Sequence, residues 1–105
     1  MIEAGLPDAV VRQLTDIFSS YPAIRRVMLY GSRAKGTHRN GSDIDLCIEA
    51  PDMTLSELLE IEGRIDDLLI PWKVDLSLMH RVENPDLLEH IRRAGKVFYV
   101  GRDNE

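Results

Sequence analysis

Residues 31–46 read Gly-Ser-Arg-Ala-Lys-Gly-Thr-His-Arg-Asn-Gly-Ser-Asp-Ile-Asp-Leu, and the two ends of this run decide how the rest of the chain is arranged. Gly31 and Ser32 open a turn of small residues. On its N-terminal side, Ile24 to Tyr30 (Ile-Arg-Arg-Val-Met-Leu-Tyr) is apolar and β-favouring. On its C-terminal side, Asp43 to Glu49 alternates, with Ile44, Leu46 and Ile48 on one face and Asp43 and Asp45 on the other. The pattern predicts strand, turn, strand, with the two carboxylates pointing the same way.

Farther out, Val10, Leu14, Ile17 and Phe18 recur at helical spacing after Pro7 and Asp8, and Tyr21-Pro22 ends that pattern. A second helix opens at Thr54 with a Thr-Leu-Ser-Glu capping box, in which Thr54 and Glu57 satisfy each other's exposed backbone donors. Leu55, Leu58, Leu59, Ile65, Leu68 and Leu69 are expected to be its buried face, and Pro71 its end. Trp72 to Met79 reads as a third strand, with Trp72, Val74, Leu76 and Leu78 on the core side and Lys73, Asp75, Ser77 and Met79 opposite. Asn84-Pro85 starts a last helix, Gly95 ends it, and Val97 to Val100 adds a short strand. Residues 101–105 read as a loose tail.

This order predicts an α/β (α+β) fold, a small mixed sheet of three or four strands whose helices cover one face. The connection between the first two strands is about a dozen residues, near the lower limit for a parallel crossover. Those strands are therefore either antiparallel or part of a mixed sheet.

With 105 residues, 44% of them hydrophobic, and no Pro, Gly or Ser tract long enough to be a linker, residues 1–105 are expected to form a single domain. No basic segment leads into an apolar run at the start, and no stretch of about 18 apolar residues occurs, so a cytoplasmic protein without a membrane span is expected. One cysteine, Cys47, excludes an internal disulfide and is read as a buried core thiol; three scattered histidines leave no zinc cluster. A net charge of −5 argues against a domain that clamps a nucleic-acid backbone. It does not forbid nucleotide binding, because bound divalent cations reverse the local sign.

The central run has the parts of a metal-dependent site for a nucleoside triphosphate. Two-metal nucleotidyl transfer needs two divalent ions about 3.5–4 Å apart, held by hard oxygen ligands. Residues i and i+2 of a strand stand about 6.6 Å apart, close enough to flank such a pair. Asp43 and Asp45 meet this requirement, and Asp75 from the third strand completes it. Glycine at position 31 lets phosphate approach the backbone, and the Ser32 hydroxyl and following amides donate to it. Arg33 and Lys35 either neutralise the triphosphate or stand in solvent. Gly-Ser alone is a common turn and Asp-X-Asp alone a common solvent-facing strand; their combination, with a third aspartate, carries the reading. His38 is read as a solvated loop residue, His80 and His90 as surface or boundary residues, and Trp72 and Tyr30 as sheet core.

At these residues the chain resembles the DNA polymerase β-like nucleotidyltransferase superfamily, whose pattern is Gly-Ser, a spacer, Asp-X-Asp and a later acidic residue. Gly31, Ser32, Asp43, Asp45 and Asp75 match it in turn, and the wording Gly-Ser-Arg-Ala-Lys-Gly with Ser-Asp-Ile-Asp-Leu is most similar to the minimal nucleotidyltransferases. The resemblance implies ATP as donor, two Mg2+ ions, and transfer of AMP to a hydroxyl. Asp43 and Asp45 would ligate both metals, Asp75 the catalytic one, while Gly31, Ser32, Arg33, Lys35 and Ser42 would hold the nucleotide. It further implies a helical HEPN protein encoded nearby, whose tyrosine is adenylylated in toxin–antitoxin pairs of this kind.

Roughly 25 residues follow Met79, too few for an acceptor-binding domain, so the acceptor is expected to be small or presented by another chain. Three functions compete on these terms. The first is an antitoxin that adenylylates its partner; the second is a small-molecule nucleotidyltransferase of the aminoglycoside-modifying sort, forming its pocket as a homo-oligomer. The third is a non-catalytic module that blocks its partner by contact.

Overall fold

The computed structural model describes residues 5–102. Its elements run in the order α1 (Asp8–Ser19), β1 (Arg26–Tyr30), α2 (Ser32–Lys35), β2 (Ile44–Glu49), α3 (Leu55–Asp66), β3 (Val74–Leu78), α4 (Pro85–Ala94) and β4 (Lys96–Val100). The strands form one sheet in the order β3-β2-β1-β4. β1 pairs antiparallel with β2 and with β4, whereas β2 and β3 are parallel. The link after β1 makes an antiparallel return, and the 12-residue α3 supplies the crossover that the parallel pair needs. The first two strands are thus antiparallel within a mixed sheet, so both expectations left open by the sequence hold.

Alternation along the strands sorts the two faces. Val27, Leu29, Ile44, Leu46, Ile48 and Leu78 are buried together with Leu14, Ile17 and Phe18 of α1 and Leu58, Ile61 and Ile65 of α3. A register shift between Val27 and Met28 against β4 lets the successive residues Phe98 and Tyr99 both reach the Phe18 ring, at 6.4 and 5.9 Å between centroids. α4 packs on the other side of β1, where His90 meets Tyr30 edge-on at 6.5 Å. Its Ile91 is buried, and its N-terminus is held by the Asn84 side chain, which accepts from the Asp86 and Leu87 amides. The helices therefore flank the sheet on both faces, not on one as the sequence pattern suggests.

The capping box forms as expected: the Glu57 amide donates to Thr54 Oγ1, and the Thr54 amide to Glu57 Oε1. The buried stripe of α3 is narrower than expected and differently phased. Leu58, Ile61 and Ile65 at i, i+3 and i+7 are buried, whereas Leu55, Leu59 and Leu69 are 47%, 60% and 88% exposed. The helix ends at Asp66, several residues before Pro71, and Leu69 follows with a positive φ of 54°. Cys47 is a buried core thiol. Gly101 is buried and donates its amide to Arg25 O at 2.8 Å, tying down the start of the expected tail. Residues 103–105 of that tail lie outside the described residues. No described helix is long and apolar enough to cross a membrane.

Candidate active site

The site lies on the sheet face opposite α1 and α3, where strand pairing sets side chains in rows. Tyr30 pairs with Asp45 across β1 and β2, and Asp45 pairs with Asp75 across β2 and β3. Neighbouring strands lie about 4.8 Å apart, so these two carboxylates, in register on one face, are neighbours. Asp43 lies one residue before β2 and is exposed, whereas the alternating pattern places it inside the strand.

Burial first, then the charges of Asp75 and Asp43, raise the pKa of Asp45, with Lys73 opposing them. Asp45 is therefore repelled by both of its acidic neighbours. Among the described residues, no three His, Cys, Asp or Glu side chains converge tightly enough to hold a metal ion by themselves. The donors present are hard oxygens, and their mutual repulsion favours a cation between them.

The turn meets the Asp45 carboxylate directly. Gly31 has φ 75° and ψ −155°, a conformation open in practice only to glycine, and a Cβ built on it would stand 2.5 Å from Asp45 Oδ2. Glycine here both permits the turn and lets the Asp45 carboxylate lie against the backbone. α2 follows at once, and its first amides have no partners within the helix. Ser32 is half-buried at its start, Lys35 is exposed, and Gly36 closes it in the left-handed conformation.

Two expected phosphate contacts have other partners. Arg33 is 3% exposed, and its Nε and Nη2 donate to Ser42 O at 3.1 and 3.0 Å. Nη2 also donates to Asn40 O at 3.5 Å. The Ser42 hydroxyl accepts from the Arg39 amide at 2.8 Å. Burial lowers the pKa of Arg33. An arginine beside a glycine turn reads as exposed by default, and the loop carbonyls that accept from it here are invisible in sequence.

Three further residues differ from expectation. Tyr30, read as core, stands on the carboxylate face; burial first, then Asp45, Asp75 and Cys47, raise its phenol pKa, while the nearby Ser77 hydroxyl lowers it. Ser77 Oγ itself is buried and completes no hydrogen bond among the described residues. Trp72 packs against the core, but just before β3, and donates its indole N–H to Asn40 O at 2.9 Å. His38, read as solvated, covers Gly5, and its buried Nδ1 has no hydrogen-bond partner among the described residues.

Comparison with known proteins agrees with this arrangement. Residues 12–104 match the family model described as Polymerase beta, Nucleotidyltransferase. A Methanocaldococcus jannaschii relative, the candidate protein adenylyltransferase MJ1217, is 30% identical over 72% of this chain and 78% of its own length. Among solved structures, a toxin–antitoxin crystal structure with AMP-PNP superposes with a TM-score of 0.70 at 22% identity, covering 94% of this chain and 77% of that one. A crystal structure of the toxin–antitoxin MntA–HepT gives 0.66 at 18% identity, covering 93% and 77%. A candidate nucleotidyltransferase from Sulfolobus solfataricus gives 0.53 at 19% identity, covering 94% and 93%. At these identities the structures speak for the fold, and the family match over nearly the whole chain speaks for the chemistry: the chain belongs to the polymerase β nucleotidyltransferase family and is a nucleotidyl-transferring enzyme.

Proposed function

We propose that this enzyme transfers AMP from ATP to a tyrosine hydroxyl of a helical HEPN partner, as the antitoxin of a toxin–antitoxin pair. The observation that carries the donor half is the close packing of Gly31 against Asp45, with Asp75 in register beside it. Gly31 lies against Asp45, and strand register sets Asp75 beside that carboxylate, which supports a shared site. The acceptor half draws on the protein adenylyltransferase relative and on the toxin–antitoxin structures, one of them with AMP-PNP.

Asp43, Asp45 and Asp75 would hold two Mg2+ ions, which supply charge neutralisation at the triphosphate and a lowered pKa for the attacking hydroxyl. Gly31 admits the phosphates to the backbone, and Ser32 with the first α2 amides donates to their oxygens. Lys35, exposed at the end of α2, is free to approach the outer phosphates. Arg33 and Ser42 serve the nucleotide through the loop they hold. The acceptor oxygen attacks the α-phosphorus, its proton passes to Asp75, the bond from the α-phosphorus to the bridging oxygen breaks, and pyrophosphate leaves. Catalysis of this kind is positioning and electrostatics, with no covalent enzyme intermediate.

The test is incubation with α-labelled ATP, Mg2+ and the helical protein encoded beside this chain. Label should appear on a tyrosine of that protein and vanish with Asp43→Asn/Asp45→Asn. Label found only on small hydroxylated compounds would point to an aminoglycoside-type enzyme instead. Full neutralisation of the partner by the doubly substituted chain would refute a required chemical step.

A further inference from the structure

Asp43 has no strand to hold it, yet the chain on either side of it is pinned. On the C-terminal side, the Ile44 amide donates to Lys73 O at 2.8 Å, joining the start of β2 to the start of β3. On the N-terminal side, Ser42 O takes two N–H donors from the Arg33 guanidinium, at 3.1 and 3.0 Å. Asn40 O takes one from Arg33 at 3.5 Å and one from the Trp72 indole at 2.9 Å. The guanidinium carbon lies 5.9 Å from the centre of the Trp72 ring, within cation–π range. Arg33 begins on the phosphate turn and Trp72 adjoins the strand that carries Asp75, so both converge on the loop that ends at Asp43.

We infer that Arg33 and Trp72 form a brace that fixes Asp43, so that Arg33 is a positioning residue for this carboxylate and not a ligand of the triphosphate. The inference rests on the role given to Asp43 above. Burying a guanidinium is unfavourable unless its donors are used, and two loop carbonyls outside any strand accept here from Arg33. The planar fork suits this task because Nε and Nη2 reach one carbonyl while Nη2 also faces the next. Lysine has one compact ammonium and would not span both. A loop of Thr37 to Ser42, largely exposed and without regular pairing, gains a fixed end from these hydrogen bonds.

Two readouts on the intact chain test the brace. The first is amide hydrogen exchange at Ile44, which is buried and bonded across to Lys73. Arg33→Gln removes a buried, charge-assisted hydrogen bond at that strand end and should speed this exchange by about ten-fold or more, while Leu46 and Ile48 stay protected. Arg33→Lys should behave like Arg33→Gln, because charge alone does not restore the fork. The second is binding of α,β-methylene-ATP in EDTA and in Mg2+. Arg33→Gln should change the EDTA affinity by less than about two-fold and lower the gain on adding Mg2+ about ten-fold, as Asp43→Asn should.

An equal loss of affinity in EDTA, or rescue by lysine, would make Arg33 a phosphate ligand and overturn the brace. Unchanged exchange at Ile44 would overturn it as well. Should Arg33→Gln fail to fold, Trp72→Phe keeps an aromatic ring, deletes the indole N–H, and should speed Ile44 exchange by about three-fold. If Asp43→Asn leaves the Mg2+ gain intact, the proposed role of Asp43 falls, and Ile44 exchange alone then decides whether the brace exists.

Discussion

Replacing Gly31 with alanine separates two reasons for glycine at this position. The backbone there has φ 75° and ψ −155°, and holding an L-residue in that region costs about 1–3 kcal/mol. The new Cβ would also stand 2.5 Å from Asp45 Oδ2 and 3.4 Å from Asp45 Cγ. The carboxylate must then turn away from its preferred rotamer, which adds about 0.5–1.5 kcal/mol. Together the substitution should destabilise the domain by about 2–4 kcal/mol, within the roughly 5–15 kcal/mol typical of a domain this size. In a thermal melt this is a fall of about 10–25 °C with the fold retained.

A double-mutant cycle with Asp45→Ala isolates the second reason. Truncation leaves only Asp45 Cβ near the new methyl group, at 3.7 Å, an ordinary contact. Gly31→Ala should therefore be milder by about 1 kcal/mol in the Asp45→Ala background than in the native one. Urea unfolding of the four proteins measures this coupling directly. Nucleotidyl transfer by Gly31→Ala should fall further than its stability does, because the displaced carboxylate is a proposed metal ligand. Strict additivity of the two substitutions, or a Gly31→Ala penalty below about 0.5 kcal/mol, would show that the turn and the carboxylate are not in contact as described.

Three other outcomes follow from the same geometry. The folded-state pKa of Asp45 is raised, so the folded state keeps a proton that the unfolded chain releases, and stability falls as pH rises from the ordinary aspartate value through the raised one. Asp45→Asn should then raise the metal-free melting temperature at pH 7 and give no gain near pH 3; an equal gain at both pH values would refute it. Thr54→Ala removes the cap of α3 on the face away from the site, so stability should drop by about 1 kcal/mol with transfer activity unchanged when measured well below the melting point. Ile61→Ala should lose about 2–5 kcal/mol in urea unfolding while Leu59→Ala stays within about 0.5, and the reverse order would invert the assignment of the α3 faces.

The strand and helix order is legible in the sequence because those signals are local. Alternation places Ile44, Leu46 and Ile48 on one face, and a Thr54–Glu57 box or an Asn84-Pro85 start is complete within four residues. The phase of α3 is not, because leucines and isoleucines crowd a helix whose core contact has room for a narrow stripe. A leucine at position 59 differs from one at 58 only by about 100° of rotation, and the neighbouring elements decide which is covered. Arg33, Trp72 and His38 escape a sequence reading for a different reason. Their partners include backbone carbonyls, each other's side chains and a glycine far along the chain, and no periodicity marks such partners in advance.

The pairing of Asp45 with Asp75 lies between these cases. A period of two fixes which face each aspartate takes, but neither the direction nor the register of β2 against β3. Apolar residues settle the register: Ile44, Leu46 and Ile48 must meet Val74, Leu76 and Leu78 on the buried face, and a slip of one residue would turn Asp45 into the core. A slip of two would preserve the faces but unpair the aspartates, and the Ile44 amide bond to Lys73 O is what opposes it. Repulsion between neighbouring carboxylates is thus held in place by burial on the other side of the same strand. Fully buried Ile44, Leu46 and Ile48 anchor β2 strongly enough that its opposite face can keep like charges together, which is the condition a cation site needs before any cation arrives.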